Sequence, residues 1–375
     1  MSTAEDVTKI SDRTGTGSVN FTNGFNINGS DSGLVGFTHT EGANEPSSPS
    51  NGDTWWDSAN EIYKVYMNGE WKDWLGTSTP AFGWGGDRGI TAAGDGASTY
   101  NTIDYFDITS AGNATDFGDT SSGANKVAAI SNASRIVIGS LPPSNTQTLE
   151  YITSSTTGNT TDFGDLVQGM SYCGAVSNGT RGVWGSKSNS GAMEYITIAN
   201  TGNATSFGSL DSSNYFANNG PACGSDGSRG LFAGNGNGSS ITNEIQYITI
   251  DTTGNSTNFG NLTTTWRDFY GFQKVSDATR TVFGGGLSTG GSNNTIDYVT
   301  TATTGNATDF GDMTTGVRGC TGTSNGTVGV WMGGYTSTTV NTIQSVTIQT
   351  PGNASDFGDL TVARYENAGS SGAAS

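Results

Sequence analysis

The stretch Asn294-Thr-Ile-Asp-Tyr-Val-Thr-Thr-Ala-Thr-Thr-Gly-Asn-Ala-Thr-Asp-Phe-Gly-Asp312 decides the fold, because the chain writes it six times. Its second half recurs as Gly112 to Asp119, Gly158 to Asp165, Gly202 to Ser209, Gly254 to Asn261, Gly305 to Asp312 and Gly352 to Asp359. The leading glycines are 46, 44, 52, 51 and 47 residues apart, a mean of 48. A period of that size belongs to propellers or helical arrays rather than to thin β-solenoids. The residue types choose between them. In the fifth copy the runs Tyr270 to Ser276, Arg280 to Gly284, Thr295 to Thr300 and Ala307 to Asp312 alternate apolar with polar and are rich in β-branched residues. Gly and Asn punctuate them, so each copy reads as four strands.

Composition sets the outer bounds. Only 13% of the residues are charged and 58 of 375 are Gly. Such a composition is compatible with disorder, but the regular return of Tyr, Ile, Val and Phe argues for a folded repeat. The net charge of −18 opposes binding to bare nucleic acid or to an anionic membrane. A neutral or basic partner is expected instead. There is no apolar run long enough to span a bilayer. Met1 to Asn20 lack the basic-then-apolar order of a signal peptide, which gives the expectation of synthesis in a cytoplasm. Cys173, Cys223 and Cys320 fall in three different repeats, as reduced buried thiols would, and the single histidine, His39, lies outside the repeats.

Residues 1 to 45 are polar and rich in Gly and Asn, with apolar spots such as Phe21, Phe25 and Phe37. They read as an extended attachment segment ordered by a partner. Residues 46 to 76 form a compact module. Ile62 to Met67 and Glu70 to Leu75 flank Asn68-Gly69, the strongest short hairpin signal. Trp55, Trp56, Trp71 and Trp74 crowd into it, either as the core of a mini-domain or as a docking surface.

The pattern Pro46-x-x-Pro-x-x-Gly52-Asp-x-Trp55, then a Tyr-containing strand, Asn68-Gly69 and Trp71, resembles a short module of tail-fibre and other virion proteins of tailed bacteriophages. The Thr-Gly-Asn-Ala-Thr-Asp-Phe-Gly-Asp repeats resemble those of structural proteins from phages of marine bacteria, cyanophages among them. The Gly284-Gly-Gly286 run after the second strand, a Tyr in the third, an aromatic in the fourth and an Arg near the next start resemble the kelch motif. Phe stands where kelch repeats usually carry Trp, and the glycine doublet survives only in part, as at Gly333-Gly334. The likeness implies a propeller and nothing of kelch biology.

The expected fold is therefore all-β: a six-bladed kelch-like propeller over residues 81 to 359, preceded by the small Trp-rich module. Blades are expected at about 81–119, 120–165, 166–209, 210–261, 262–312 and 313–359. Ala81 to Gly96 aligns without gaps to Gly271 to Gly286, so blade one is expected to bring its own first strand. The tail, 360 to 375, repeats the start of a blade (Thr-Val-Ala-Arg364-Tyr365) and either crosses the closure seam or frays.

Let strands A to D run from the axis outward. The strand-C Tyr and strand-D Phe are 12 residues apart in every copy, with Ser345 replacing the last Tyr. From the Arg position opening strand B to that Tyr the spacing is 17, 16, 14, 18, 18 and 17. Length variation thus gathers on the face that carries the B–C and D–A connections, and insertions on one face of a repeat scaffold mark the contacting face. Candidate recognition residues there are Tyr100, Tyr215, Phe216, Trp266, Arg267, Tyr270 and Tyr335, aromatics able to stack on sugar rings or pack on protein.

Other motifs read as scaffold. Asp-Phe-Gly occurs without the remaining parts of a kinase. The carboxylate pairs Asp116/Asp119, Asp162/Asp165, Asp309/Asp312 and Asp356/Asp359 are able to hold calcium, yet two repeats carry Ser206/Ser209 and Asn258/Asn261 instead. The six Asn-x-Ser/Thr sequons, Asn113 to Asn353, read as turn chemistry. No catalytic residue, metal or cofactor is assigned.

The functional expectation is a non-enzymatic virion component, a tail fibre or tail appendage, present in several copies. Residues 1 to 76 would bind other virion proteins, and the propeller would meet a host surface glycan or protein. A capsid decoration or head-fibre protein is one alternative, and a glycan-binding lectin or glycan-acting enzyme is another. Fold alone does not choose among these.

Overall fold

The computed structural model describes residues 39–42, 44–57, 62–67, 70–73, 85–141, 147–170, 172–185, 191–211, 220–237, 240–266, 275–288 and 291–373. The chain divides into two compact units, Met1–Ser78 and Thr79–Ser375.

In the first unit Ile62–Met67 pairs antiparallel with Glu70–Asp73, Met67 opposite Glu70, so that two residues join them as the Asn-Gly signal requires. Thr54–Asp57 completes the antiparallel part. The sheet also recruits His39–Gly42 as a parallel edge strand, so the module begins before residue 46. The indole of Trp55 explains this extension, since its Nε1 donates to the carbonyl of Gly42 at 2.9 Å. Trp71 packs edge-on against Trp55 at 5.7 Å and Tyr66 at 5.3 Å. Trp55 is buried and Trp56, its neighbour on the opposite face, is half-buried. Trp74 lies outside the described residues.

The second unit is a six-bladed β-propeller, six four-stranded antiparallel sheets in sequence. In blade two the strands are Ala128–Ser131, Arg135–Leu141, Thr148–Thr153 and Thr161–Asp165. Strands A and B are buried on both sides, because each blade is sandwiched between two others. The core therefore lies between blades. Phe117 of blade one, for example, shares a cluster with Ile136 and Ile138 of blade two.

One expectation is overturned. Blade one does not bring its own first strand: the sheet runs Ala368–Gly372, Arg88–Ala92, Thr102–Asp107, Thr115–Asp119, with Ala368 opposite Ala92 and Gly372 opposite Arg88. The tail crosses the seam and closes the ring. The reason is physical. An inner strand must be apolar or small on both faces and must join the axial ring of serines. Ala368-Gly-Ser-Ser371 satisfies both conditions, with Ser370 on Ser131 at 2.8 Å and Ser371 Oγ donating to the Ser324 carbonyl at 2.8 Å. The same ring continues as Ser177 to Ser131, Ser225 to Ser177 and Ser324 to Ser276.

The repeated stretch is an inter-blade lock. The side-chain oxygen of each sequon Asn accepts from a backbone N–H at the end of the preceding blade's strand D. The pairs are Asn159 with Asp119, Asn203 with Asp165, Asn255 with Ser209, Asn306 with Asn261, Asn353 with Asp312 and, across the seam, Asn113 with Asp359, all at 3.0 to 3.1 Å. The glycine of Asp-Phe-Gly permits this approach. Gly118 has φ +149°, and a Cβ there would collide with the carbonyl of Gly158 in the next blade.

A second lock is buried. The residue before the strand-C Tyr is Asp104, Glu150, Glu194, Gln246, Asp297 or Gln344, and it accepts from the chain leaving the previous blade. Thr263 N donates to Asp297 at 2.8 Å, Val167 N to Glu194 at 2.6 Å and Thr314 N to Gln344 at 2.7 Å. Buried acceptors satisfied in this way fix the angle between sheets.

Candidate recognition face

The B–C and D–A connections meet on one face and are knitted together there. Gly94 N donates to Ala124 O, Gly286 N to Val317 O and Gly334 N to Arg364 O, so in these three blades the B–C loop is held by the next D–A connection. The glycine run after strand B supplies the backbone this requires: Gly285 and Gly286 have φ of 79° and 96°, and Gly333 and Gly334 have 65° and 117°.

Where these connections cross the closure seam they bring together a continuous polar and aromatic cluster. Tyr335 and Tyr365 lie with their rings 5.6 Å apart, and the Arg318 guanidinium sits over Tyr335 at 4.8 Å. The Tyr365 hydroxyl donates to Asp95 Oδ2 at 3.3 Å, and Asn125 Nδ2 reaches the same oxygen at 3.4 Å. Next in the chain, the Lys126 ammonium lies over the Tyr172 ring at 4.6 Å. Tyr100 packs beside Gly96, whose missing Cβ makes room for its ring.

Lys126, Tyr172 and Glu366 occupy the same place in three blades, two residues before strand A, and all three are left-handed, with φ of 61°, 56° and 57°. The equivalent residue in blade six is Gly319, at φ 66°. Non-glycine residues in this region carry backbone strain of about 1 kcal/mol or more, held in place by their surroundings. Here the backbone does the holding: Lys126 N donates to Glu366 O, and Glu366 N to Gly319 O.

Electrostatics tie the cluster together. Burial, followed by the nearby Glu366 and Asp95 carboxylates, pushes the Tyr365 phenol up to about 12. Burial alone would lower Lys126, but its hydrogen bond to Tyr172 and the charges of Glu366 and Asp95 outweigh this and hold its ammonium above the ordinary lysine range. The site thus keeps a neutral phenol and a charged amine at physiological pH. It is able to stack on a ring and exchange hydrogen bonds with a polar ligand.

Of the residues expected on this face, Tyr100 and Tyr335 belong to the cluster. Tyr215, Phe216, Arg267 and Tyr270 lie outside the described residues. Trp266 lies not within a loop but at the end of the strand Thr257–Trp266, paired with Thr242, where the D–A connection begins. In blade four the extra residues lengthen the sheet, with Arg229–Asn237 and Ser240–Thr249 pairing out to Asn237 opposite Ser240. Backbone pairing satisfies the added N–H and C=O groups, which a long bare loop would leave to solvent. Sequence reasoning missed Asp95, Lys126, Tyr172, Arg318, Tyr365 and Glu366. The register of Lys126, Tyr172 and Glu366 before strand A was available as a signal once the tail was placed in blade one.

The paired carboxylates stand on outer strands, and among the described residues there is no group of three or more His, Cys, Asp or Glu able to hold a metal ion. Cys173, Cys223 and Cys320 are buried thiols. Among the described residues no helix is long and apolar enough to cross a membrane.

Fold and face together define a closed six-bladed β-propeller with a polar and aromatic cluster at its closure seam. No protein-family model and no curated protein matches the chain. Among solved structures it is similar to that of YjhT, with a TM-score of 0.56 and 10% identity over 74% of this chain and 98% of that one. At this identity the likeness is one of fold.

Proposed function

We propose that the protein is a non-enzymatic structural component of a tailed-phage virion, a tail fibre or tail appendage. In this reading residues 1 to 76 attach it to the particle, and the B–C/D–A face of the propeller meets the host surface. The observation that carries the reading is the asymmetry between the two faces. One is tied by a turn of constant length in every blade, while the other varies in length and gathers Tyr100, Tyr335, Tyr365, Lys126 and Arg318 beside acids. The resemblance of residues 46 to 76 and of the repeats to virion proteins supports the placement. The paired tyrosines, with donors and acceptors of both charges, suit a host glycan or a polar protein loop.

Electron microscopy of intact particles labelled with an antibody against residues 81 to 375 tests this directly. Label at the tail is expected; label on the head would favour a capsid decoration or head fibre, and particles without label would refute a virion role. A variant lacking residues 1 to 45 is expected to be absent from particles while its propeller still folds.

A further inference from the structure

In five blades an arginine opening strand B lies over the strand-C tyrosine and reaches the next blade. Arg88, Arg135, Arg181, Arg229 and Arg280 sit 4.3 to 4.9 Å above Tyr105, Tyr151, Tyr195, Tyr247 and Tyr298. Each donates from Nη1 to a turn carbonyl of the following blade, as Arg88 does to Ser154 at 2.9 Å and Arg280 to Ile348 at 3.0 Å. The tyrosine in turn packs edge-on against the strand-D phenylalanine, for example Tyr298 on Phe310 at 5.9 Å.

Blade six lacks both partners. Val328 stands at the arginine position and Ser345 at the tyrosine position. A groove of about 400 Å³ opens there, lined by Val328, Ser345, Pro351 and Phe357 and, from blade one, by Ile108 and Thr109. The corresponding hollow of blade five is of similar volume, about 350 Å³, but it is bounded by Tyr298 and lined by blade-five residues alone, so what distinguishes the groove is that it extends to blade one. Ile108 is the equivalent of Ile348 and is fully buried here without a guanidinium over it, while Thr109 beside it is exposed and lines the groove. Phe106 replaces part of the lost packing, its ring 5.7 Å from Phe357.

The change is matched by charge. The residue before Arg88 is Asp87, where the other copies have Ser134, Thr180, Ser228, Thr279 and Thr327. The residue before Ile108 is Asp107, where the others have Thr153, Thr197, Thr249, Thr300 and Thr347. Both acids are exposed; Asp87 is bonded across this junction to Asn325, and Asp107 directly precedes the groove-lining Ile108 and Thr109. Asp107 accepts from Thr109 N at 2.8 Å and Asp87 from Asn325 Nδ2 at 2.8 Å, which holds their carboxylates in place with acceptor capacity to spare.

We propose that the groove between blades six and one is a docking site for an arginine side chain of a partner protein. The partner's guanidinium enters the groove beside Thr109 and faces the neighbouring carboxylates of Asp107 and Asp87, while its aliphatic stem covers Val328 and Phe357. A guanidinium suits this site better than an ammonium. Its planar fork makes several directed hydrogen bonds at once and it is more weakly hydrated. The site is independent of the B–C/D–A face, since it is built at the C–D turns.

The test uses the full chain and three blocked tripeptides, Gly-Arg-Gly, Gly-citrulline-Gly and Gly-Lys-Gly, titrated at low ionic strength with amide chemical shifts as the readout. The arginine peptide is expected to shift resonances around Ile108 and Val328, with the citrulline and lysine peptides binding about tenfold more weakly or worse. The variant V328R/S345Y, which restores the internal pair, is expected to lose the arginine peptide while keeping its Tm. The surface variant D107T, which restores the residue type of the other blades, is expected to bind it severalfold more weakly. Equal binding of arginine and citrulline or of arginine and lysine, undiminished binding by either variant, or the absence of shifts at the groove would each overturn the proposal.

Discussion

The backbone N–H of Asp359 donates to the side-chain oxygen of Asn113 at 3.0 Å across 246 positions of sequence, and this bond repeats at the seam the lock that joins every other pair of blades. The ring is therefore closed on its outer rim as well as at its axis. Asn113→Ala removes the acceptor at an exposed site, so the expected loss is about 0.5–1 kcal/mol, read as a lower urea midpoint with unchanged slope. An unchanged midpoint would mean that water replaces the side chain at no cost.

Inside the same seam Arg364 is fully buried and paired with Asp104, and its Nη1 donates to Thr102 O at 2.7 Å and Ala93 O at 3.1 Å. Arg364→Met leaves the Asp104 carboxylate buried without its cation, and the expected cost is about 3–5 kcal/mol. The double variant R364M/D104N is expected to recover much of this loss, because no buried charge remains. If the double variant is no more stable than R364M in urea unfolding, the cost lies in packing rather than in charge.

Deleting residues 366 to 375 removes the innermost strand of blade one together with Ser370 and Ser371. The expected outcome is loss of the cooperative thermal transition, since the exposed edge of Arg88–Ala92 and the opened axis affect both flanking blades. A separate peptide spanning these residues is expected to restore the transition when added back. A truncated chain that melts like the full one would show that closure does not depend on this strand.

Asp297 is buried between blades, and burial pushes its carboxyl above the usual value of 3.8 against the lowering effect of its bonds to Thr263. The folded state then favours the protonated form. Its contribution to stability is greatest below the unfolded-state pKa and is lost as pH rises through the folded one. Asp297→Asn keeps an acceptor for Thr263 and resembles Gln246 and Gln344 at the equivalent place. It is expected to match or exceed wild-type stability at pH 7 and to flatten the pH dependence on the acid side, both measurable by urea unfolding across pH.

Chelation is expected to leave the Tm unchanged. The aspartates of the repeated Asp-Phe-Gly-Asp segments stand on outer strands, and the backbone at Asp119, Asp165, Asp312 and Asp359 is already held by asparagine side chains. A fall in Tm on adding a chelator, reversed by calcium, would assign those carboxylates a structural ion.

Local chemistry made the blades legible. Alternation, β-branched residues and the fixed Tyr-to-Phe spacing are short-range properties, so the strands and the constant C–D turn followed from the residues alone. The small Trp-rich sheet was legible for the same reason, through Asn68-Gly69. The polar and aromatic cluster at the seam was legible only at Tyr100 and Tyr335, because Lys126, Tyr172 and Glu366 gain meaning from a shared register that appears once the blades are superposed in space.

The amino-acid sequence by itself thus determined a ring of six four-stranded units and the scaffold role of Asn294 to Asp312. Only the tertiary structure decided which strand completes blade one. Pairing at a sheet edge is made by backbone groups that every residue carries, so Ala81 to Gly96 and Ala368 to Gly372 were both eligible by local pattern. What selects the tail is long-range: a place in the axial serine ring and a buried Arg364–Asp104 pair, neither of which exists until the two ends of the propeller meet.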